Sequence, residues 1–257
     1  MITCGIDAGA RTTKAVLLAD GRALVQLVED TGGDPAAAAR RLFNAALERA
    51  GVRPDALAAV VATGYGRGVI DFATTTVTEI TCQARGVRHV APQVRGILDV
   101  GGQDTKAIAL DAEGRVRDFV MNDRCAAGTG RFLEVMAAAF GLSLEEASGR
   151  ALEAAEPVPI ASTCTVFAES EIVSLRAHGR PTEAILAGVH AAVAARLKAM
   201  ADRIALEGPV AFTGGVARSA AAVAAVRRAM GAEVLVPDHP QTTGALGAAL
   251  VGAERGR

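Results

Sequence analysis

The stretch GIDAGARTTKAVLL, residues 5–18, recurs later in the chain as ILDVGGQDTKAIAL, residues 97–110. The two copies align without a gap. Their identical positions are Asp7 and Asp99, Gly9 and Gly101, Thr13 and Thr105, Lys14 and Lys106, Ala15 and Ala107, and Leu18 and Leu110. The separation between the copies is far longer than the period of a solenoid repeat, so this internal duplication predicts two related lobes.

The sequence around the first copy predicts a meander of short strands. These strands are expected over residues 2–7, 13–19 and 23–28, with a hairpin turn at Asp20-Gly21. A turn of the same Asp-Gly-Arg type follows the second copy, in DAEGR at residues 111–115. The two halves are therefore expected to begin alike.

The rest of the chain alternates between helical and strand patterns, which is typical of an α/β fold. Asp34-Pro35 opens a helix that ends at Gly51, and residues 78–91 are expected to be only partly helical. Other predicted elements are strands at 57–63, 210–213 and 233–236, helices near 127–140, 143–154, 164–178 and 182–206, and a last helix from about residue 241. The predicted lobes are residues 1–95 and 96–257, and the C-terminal helix has the option of packing back on the first.

Composition narrows the possible function classes. The 257 residues are 51% hydrophobic and 21% charged, with a formal net charge of −1 and scattered arginines. Aromatic residues make up only 3%, so neither a phosphate-binding stripe nor a base-stacking surface for nucleic acid is expected. No apolar run approaches the roughly 18 to 20 residues of a membrane span, and the amino terminus lacks a signal-peptide pattern. We therefore expect a soluble cytoplasmic protein without a membrane or nucleic-acid partner.

The duplicated loops have the form Asp-x-Gly-x-x-x-Thr-Lys, which suits binding of a polyphosphate from both sides. Glycines let the backbone approach, amides and hydroxyls donate to phosphate oxygens, and lysine supplies a charge. The candidate groups are Gly9, Ala10, Thr12, Thr13 and Lys14 in the first loop, and Gly101 and Gly102 in the second. One such loop alone is equally well explained as a tight turn with a capping aspartate, but two aligned copies favour phosphate binding.

The aspartates of the loops need a separate explanation. A carboxylate beside a phosphate chain is repelled unless a divalent cation lies between them, so Asp7 and Asp99 imply Mg²⁺ held largely through water. Gln103 and Asp104 lie where an attacking water could be positioned, and which of them acts as base stays open. Arg11 and Thr12 replace them in the first loop, so the catalytic asymmetry is expected in the second.

A third glycine-rich segment, FTGGVARS at 212–219, follows a predicted strand and opens a helix. Gly214, Gly215 and Val216 could seat a nucleoside or sugar against the backbone. The segment is not a Walker loop, and no GxGxxG fingerprint follows a strand.

Two segments carry cysteines in chemically suggestive positions. In NDRCAAGTGRFLE, residues 122–134, Cys125 precedes a Gly-Thr-Gly turn that opens a helix, where backbone amides would favour a thiolate suited to metal or redox work. In STCTVFAESE, residues 162–171, Cys164 follows two potential capping residues, Ser162 and Thr163. Cys4 and Cys82 lie in apolar segments and are expected to serve packing.

The order of two phosphate loops and a glycine-rich segment resembles the superfamily of acetate and sugar kinases, Hsp70 chaperones and actin. The resemblance implies a duplicated, ribonuclease H-like two-lobe fold with ATP in the cleft between the lobes. Within it, the strings DVGGQDTK, NDRCAAGTGRFLE, STCTVFAESE, TGGVARS and TEITCQA resemble the BadF/BadG/BcrA/BcrD ATPase family, which contains the activators (component A) of 2-hydroxyacyl-CoA dehydratases. The resemblance runs nearly end to end.

The family resemblance implies a homodimer with one [4Fe–4S] cluster at the subunit interface, ligated here by Cys125 and Cys164 of each chain. It also implies that ATP hydrolysis drives a low-potential electron from ferredoxin or flavodoxin to a 2-hydroxyacyl-CoA dehydratase. The alternatives are an ATPase subunit of benzoyl-CoA reductase, an activator of another iron–sulfur enzyme, a small-molecule kinase of the same fold, and a nucleotide switch without a redox role.

Overall fold

A computed structural model describes residues 1–161 and 164–255. The strands are β1 Ile2–Ala8, β2 Thr12–Ala19, β3 Arg22–Asp30, β4 Leu57–Thr63, β5 Thr75–Thr76, β6 Gly96–Val100, β7 Thr105–Leu110, β8 Val116–Asn122, β9 Val210–Thr213 and β10 Val234–Leu235. The helices are α1 Pro35–Ala50, α2 Glu79–Val90, α3 Gly130–Ala139, α4 Leu144–Leu152, α5 Thr165–Ala177, α6 Thr182–Arg203, α7 Ala220–Met230 and α8 Thr243–Arg255. The α/β alternation predicted from the sequence is therefore confirmed.

The strands form two five-stranded sheets with equivalent topology. Their orders are β3-β2-β1-β4-β5 and β8-β7-β6-β9-β10, so corresponding strands occupy corresponding places. In each sheet the two strands of the repeated stretch pair antiparallel, and Asp7 faces Lys14 as Asp99 faces Lys106. The internal duplication read from the sequence is thus a duplication of structure.

Local sequence signals account for the first meander and helix. Asp20 and Gly21 have φ angles of 48° and 81°, the left-handed pair that a two-residue hairpin turn requires. The side chain of Asp34 accepts a hydrogen bond from the Ala37 amide at the start of α1, and Gly51 ends that helix with a φ of 64°.

The chain divides into two compact units. The first contains residues 1–94, 110–117 and 237–257, and the second contains residues 95–109 and 118–236. In the first unit α8 packs on α2, β1 and β4. The predicted lobes of residues 1–95 and 96–257 are continuous in sequence, whereas these units are not, because the C-terminal segment returns to the first.

Helices α2 and α8 cross at glycines within the first unit. A Cβ atom at Gly86 would lie 1.8 Å from the carbonyl oxygen of Thr243, and one at Gly247 would lie 1.7 Å from that of Cys82. Residues 78–91 were expected to be only partly helical, yet α2 is a regular helix with Thr78 as its N-cap. Gly86 lowers the helix propensity of α2, and the same residue lets the backbones of α2 and α8 approach.

Helix α6 meets the length and composition of a membrane span, contrary to the expectation that no segment would. Among the described residues it alone does so, and half of its most apolar window is buried inside the protein. Its buried residues include Ile185, Val189, Val193 and Leu197, which join the core of the second unit. The protein core therefore accounts for its apolar character.

Replacing Gly247 by alanine is expected to destabilise the protein by about 3 kcal/mol, since the new methyl group meets the backbone of α2. Gly149 in α4 is the matched control, because no atom lies within 4 Å of its Cβ position. Gly149→Ala should raise stability by up to about 1 kcal/mol through helix propensity alone. Urea unfolding of both variants measures the difference, and equal midpoints would contradict the close crossing of α2 and α8.

Candidate functional site

The first phosphate loop joins β1 to β2 in a tight, internally bonded turn. Gly9 donates its amide to the Thr12 carbonyl at 3.2 Å, and a Cβ atom at Gly9 would lie 3.2 Å from the Lys14 Nζ. Lys14 pairs with the Asp7 carboxylate at 3.1 Å, with both side chains mostly buried. The exposed part of the turn is Ala10 and Arg11.

Thr13 lies inside the protein rather than at the loop surface. Its hydroxyl is 3.0 Å from that of Thr31, which in turn donates to the Gly9 carbonyl at 2.8 Å. The structure therefore gives Thr13 a role in holding the loop, while Thr12 and Lys14 are the partly exposed polar side chains.

The second loop, between β6 and β7, repeats this turn with a different charge arrangement. Gly101 donates its amide to the Asp104 carbonyl at 2.9 Å, as Gly9 does to Thr12. Lys106 is buried, and its Nζ lies 2.5 Å from the Asp104 carboxylate and 3.5 Å from that of Asp99. Asp104 thus neutralises Lys106, whereas Thr12 occupies the equivalent position in the first loop.

Gln103 and Asp104, which the sequence left as alternatives, have different environments. The Asp104 carboxylate is mostly buried against Lys106, and its Oδ1 would lie 2.3 Å from a Cβ atom at Gly101. Gln103 stands exposed at the tip of the loop. Of the two, Gln103 has the side chain available to a ligand or a water molecule.

A Thr-Gly pair follows a parallel strand in each sheet, next to the aspartate of the phosphate loop. Thr63 faces Asp7 and Thr213 faces Asp99 in strand register, and the Thr213 hydroxyl donates to Asp99 Oδ1 at 2.9 Å. Gly64 and Gly214 share nearly the same backbone angles, with φ of 84° and 86°. Each then enters a short 3-10 turn.

The glycine-rich segment 213–219 is thereby placed beside the second phosphate loop. A Cβ atom at Gly214 would lie 2.2 Å from the Val100 carbonyl oxygen, so only glycine fits there. Gly215 and Val216 begin the 3-10 turn Gly215–Arg218. The second unit therefore groups Asp99, Gly101, Gly102, Gln103 and Asp104 with this segment.

Sequence reasoning did not assign a role to Thr63, Thr213 or Gly244. A Cβ atom at Gly244, at the start of α8, would lie 3.6 Å from Asp7 Oδ2. The signal for the two threonines is present in the chain, as VVATG at residues 60–64 and VAFTG at 210–214. The duplication thus extends beyond the phosphate loops.

The four cysteines fall into two classes. Cys4 and Cys82 are fully buried, and burial raises the pKa of the Cys4 thiol to about 12 and that of Cys82 to about 11. Cys125 is exposed and Cys164 is half-buried. Only the second pair presents thiols that a metal centre could reach.

Cys125 lies in the loop between β8 and α3, and not at the helix start that its sequence suggested. Thr129 is the N-cap of α3, and the first-turn amides of Gly130 and Arg131 donate to the carbonyls of Gly101 and Gly102. These amides are therefore occupied by the phosphate loop and do not face the thiol.

The loop around Cys125 is instead fixed by Asn122, at the end of β8. The Asn122 amide group donates to the Cys125 carbonyl at 2.8 Å and to the Ala127 carbonyl at 3.3 Å. Its oxygen accepts the Cys125 amide at 3.2 Å. One side chain thus holds both backbone polar groups of the cysteine.

Cys164 does occupy a helix start, as the N-cap residue of α5, and its carbonyl accepts the Ala168 amide at 2.8 Å. The predicted capping residues Ser162 and Thr163 lie outside the described residues. The carboxylate of Glu171 accepts the Ala161 amide at 2.8 Å, which ties Ala161 to α5.

Helix α5 also exposes large apolar side chains next to Cys164. Val166, Phe167 and Val173 are 66%, 68% and 54% exposed. Single exposed apolar residues are ordinary, but three on one short helix beside an accessible thiol are typical of an interface.

The donor set allows a test of which metal groups fit. Over residues 1–161 and 164–255, no three His, Cys, Asp or Glu side chains are grouped to hold a metal ion. A cubane cluster takes four thiolates, and each chain presents two accessible ones, so the residues fit a cluster shared by two copies. Mg²⁺ keeps most of its waters beside phosphates, so one carboxylate per loop also fits.

Comparisons with known proteins agree with this geometry. An activator of lactoyl-CoA dehydratase from Anaerotignum propionicum is 45% identical over 99% of this chain and 98% of its own length. The activator of the 2-hydroxyisocaproyl-CoA dehydratase from Clostridium difficile, solved with bound ADPNP, is 40% identical with a TM-score of 0.94, covering 100% of this chain and 96% of that one.

A more distant structure shares the fold alone. A ROK family glucokinase from Streptomyces griseus, in complex with glucose and AMPPNP, has a TM-score of 0.60 at 15% identity, covering 99% of this chain and 100% of that one. The predicted actin-like, sugar-kinase-like fold is thus confirmed. The profile of the BadF/BadG/BcrA/BcrD ATPase family matches residues 4–252, and the chain belongs to that family of ATPases.

Proposed function

We propose that this ATPase is an activator of a 2-hydroxyacyl-CoA dehydratase, delivering single electrons through a [4Fe–4S] cluster shared by two copies of the chain. The observation that carries the proposal is the presence, in one chain, of duplicated phosphate loops and two accessible cysteines, of which Cys125 follows β8 in a loop tied to the second phosphate loop by backbone hydrogen bonds. The relative from A. propionicum, 45% identical over nearly the whole chain, is an activator of lactoyl-CoA dehydratase, which supports the dehydratase as the partner.

ATP is bound by the two phosphate loops together with the glycine-rich segment. Lys14 contacts the phosphates from its ion pair with Asp7 at the partly exposed first loop, whereas Lys106 is held in the interior by Asp104. Asp7 and Asp99 orient Mg²⁺ and its waters, and Thr213 fixes the Asp99 carboxylate. Gly214, Gly215 and Val216 support the nucleoside.

Hydrolysis requires a water molecule placed in line with the terminal phosphate. Gln103 is exposed at the tip of the second loop and orients this water, while Asp104 acts through Lys106 to shape the loop. The Asp99 carboxylate lies near the end of β6 and would hold Mg²⁺ through water when the ion is bound.

Cys125 and Cys164 of each copy supply the four thiolates of the cluster, which when bound accepts and releases one electron. Asn122 holds the Cys125 loop in place, and Glu171 ties Ala161 to α5. The exposed side chains of Val166, Phe167 and Val173 support a second copy at this face, since pairing would remove them from water. Ferredoxin or flavodoxin is the electron donor, and the dehydratase is the acceptor.

Gln103→Ala is expected to lower the ATP hydrolysis rate by about a hundredfold through loss of water orientation. Its stability should stay within about 0.5 kcal/mol of the native chain, because the side chain is exposed. Steady-state hydrolysis and urea unfolding measure the two effects.

Asp104→Asn is the matched variant in the same loop, and its main effect is expected on stability. It should cost about 2 kcal/mol, since the buried Lys106 ammonium loses the charge of its nearer carboxylate partner. Hydrolysis that is lost completely in Asp104→Asn and normal in Gln103→Ala would reverse the two assigned roles.

Anaerobically purified protein is expected to contain iron and sulfide with the visible absorption of a [4Fe–4S] cluster. Cys125→Ala and Cys164→Ala should each remove the cluster, because each variant leaves the chain pair with two of the four thiolates. Iron analysis and visible spectra of each variant provide the measurement.

Cys82→Ala is the control, since this buried thiol is unavailable to metal and its removal should leave the iron content unchanged. The redox part of the proposal is wrong if the native chain binds no iron, or if either accessible cysteine can be replaced without loss of the cluster. ATPase activity would survive either result.

A further inference from the structure

The Cys125 loop and the second phosphate loop are joined by direct hydrogen bonds. The bonds run from the Gly130 amide to the Gly101 carbonyl at 2.9 Å, from the Arg131 amide to the Gly102 carbonyl at 2.8 Å, and from the Thr105 hydroxyl to the Gly128 carbonyl at 2.8 Å. All six residues belong to the second compact unit. The nucleotide loop and the cysteine loop therefore share one hydrogen-bonded framework.

These contacts are closer than the usual packing of a helix start on a loop. A Cβ atom at Gly130 would lie 3.1 Å from the Gly101 oxygen and 3.2 Å from the Gly102 Cα. The first amides of a helix have no partner within it, and here phosphate-loop carbonyls supply the partners. Glycine at position 130 permits this direct backbone contact.

The geometry of the peptide group links the two sides of the loop. In a planar trans peptide, C=O and N–H point in opposite directions. The carbonyls of Gly101 and Gly102 bind the cysteine loop, so the amides of the same peptide groups, on Gly102 and Gln103, face the other way. A phosphate that attracts these amides turns the peptide planes and displaces their carbonyl ends.

Side-chain hydrogen bonds continue this framework toward Cys125. Thr105 is buried in β7 and binds the Gly128 carbonyl, and Gly128 adopts a φ of 86° within the turn before α3. Asn122 binds the Ala127 carbonyl and both backbone groups of Cys125. The segment from Asn122 to Arg131 is thus restrained at both ends and in the middle.

We propose that Thr105 is a positioning residue that couples the nucleotide state to Cys125, by holding the cysteine loop to the second phosphate loop so that the two move together. The inference rests on the proposed function, since it assigns a route between the nucleotide and the cluster ligand. The new elements are the three hydrogen bonds, which form the route, and Thr105, whose side chain controls it.

The test is the alkylation rate of Cys125 by iodoacetamide in the full-length, cluster-free chain, with saturating ADP and with saturating ADPNP. Mass spectrometry reads the modification at Cys125, with Cys164 in the same sample as a reference. The native chain should show different rates with the two nucleotides. Thr105→Val should reduce the ratio of those rates by about fivefold, the effect expected for loss of one buried hydrogen bond.

Thr105→Ser keeps the hydroxyl and should restore the native ratio. Thr3→Val is the matched control outside both loops, because the Thr3 hydroxyl is likewise buried and donates to a backbone carbonyl, that of Ala249, at 2.8 Å. At saturating nucleotide it should keep the Cys125 response.

If Thr105→Val fails to fold, Asn122→Asp provides the second variant, since a carboxylate cannot donate to the Cys125 and Ala127 carbonyls.

The coupling assignment is overturned if the native ratio persists in Thr105→Val, if Thr3→Val loses the response equally, or if the native chain shows no nucleotide effect. Iron content of the anaerobic holoprotein is measured separately. A chain that responds to nucleotide at Cys125 but binds no iron would contradict the proposed redox function while supporting this route. Iron binding together with an unchanged ratio of alkylation rates in Thr105→Val would support the proposed redox function and contradict this route.

Discussion

An aspartate facing a lysine across a tight hairpin, made once in each half of the chain, is the constraint from which the rest of the site follows. Strand pairing sets Asp7 against Lys14 and Asp99 against Lys106, and the next parallel strand sets a threonine beside each aspartate. A carboxylate held in this way cannot turn into the core, so it stays at the strand end with the glycine-rich turn. Each sheet therefore places an aspartate, a lysine and a threonine together at the corresponding edge.

The two phosphate loops differ in the charged side chains that surround their lysines. Asp104 neutralises Lys106 in the second loop, whereas the uncharged Thr12 stands at the equivalent position in the first, where Lys14 pairs with Asp7. The second half has helices α3 to α6 between β8 and β9, where the first half has α1 between β3 and β4, and this longer segment contains both accessible cysteines. Duplication thus accounts for nucleotide binding, and the departures from duplication account for the proposed division between phosphate contact, hydrolysis and electron transfer.

Much of this could be predicted from the sequence because its determinants are local. Asp20-Gly21, Asp34-Pro35 and Gly51 each specify a turn or a helix end within a few residues, and the strands they border lie where the pattern placed them. The helix at 79–90 was underestimated because Gly86 contacts α8, which follows it by more than 150 residues. The sequence suggests helix-start amides near Cys125, because the carbonyls that bind the Gly130 and Arg131 amides belong to a loop that is distant in sequence. The different environments of Asp104 and Gln103 likewise depend on tertiary burial, because Asp104 is paired with the buried Lys106. The Thr-Gly pair that follows both VVA and VAF is visible in the sequence, and it marks the same place in each sheet.

The central claim is that two copies of the chain share a single cluster through two thiols each. Native mass spectrometry of anaerobically purified protein tests it most directly, because chain number and cluster mass are read from one ion. The expected species contains two chains and one [4Fe–4S] cluster, and dissociation into single chains should release the cluster. Single chains that retain a complete cluster, or chain pairs that carry two, would contradict the claim.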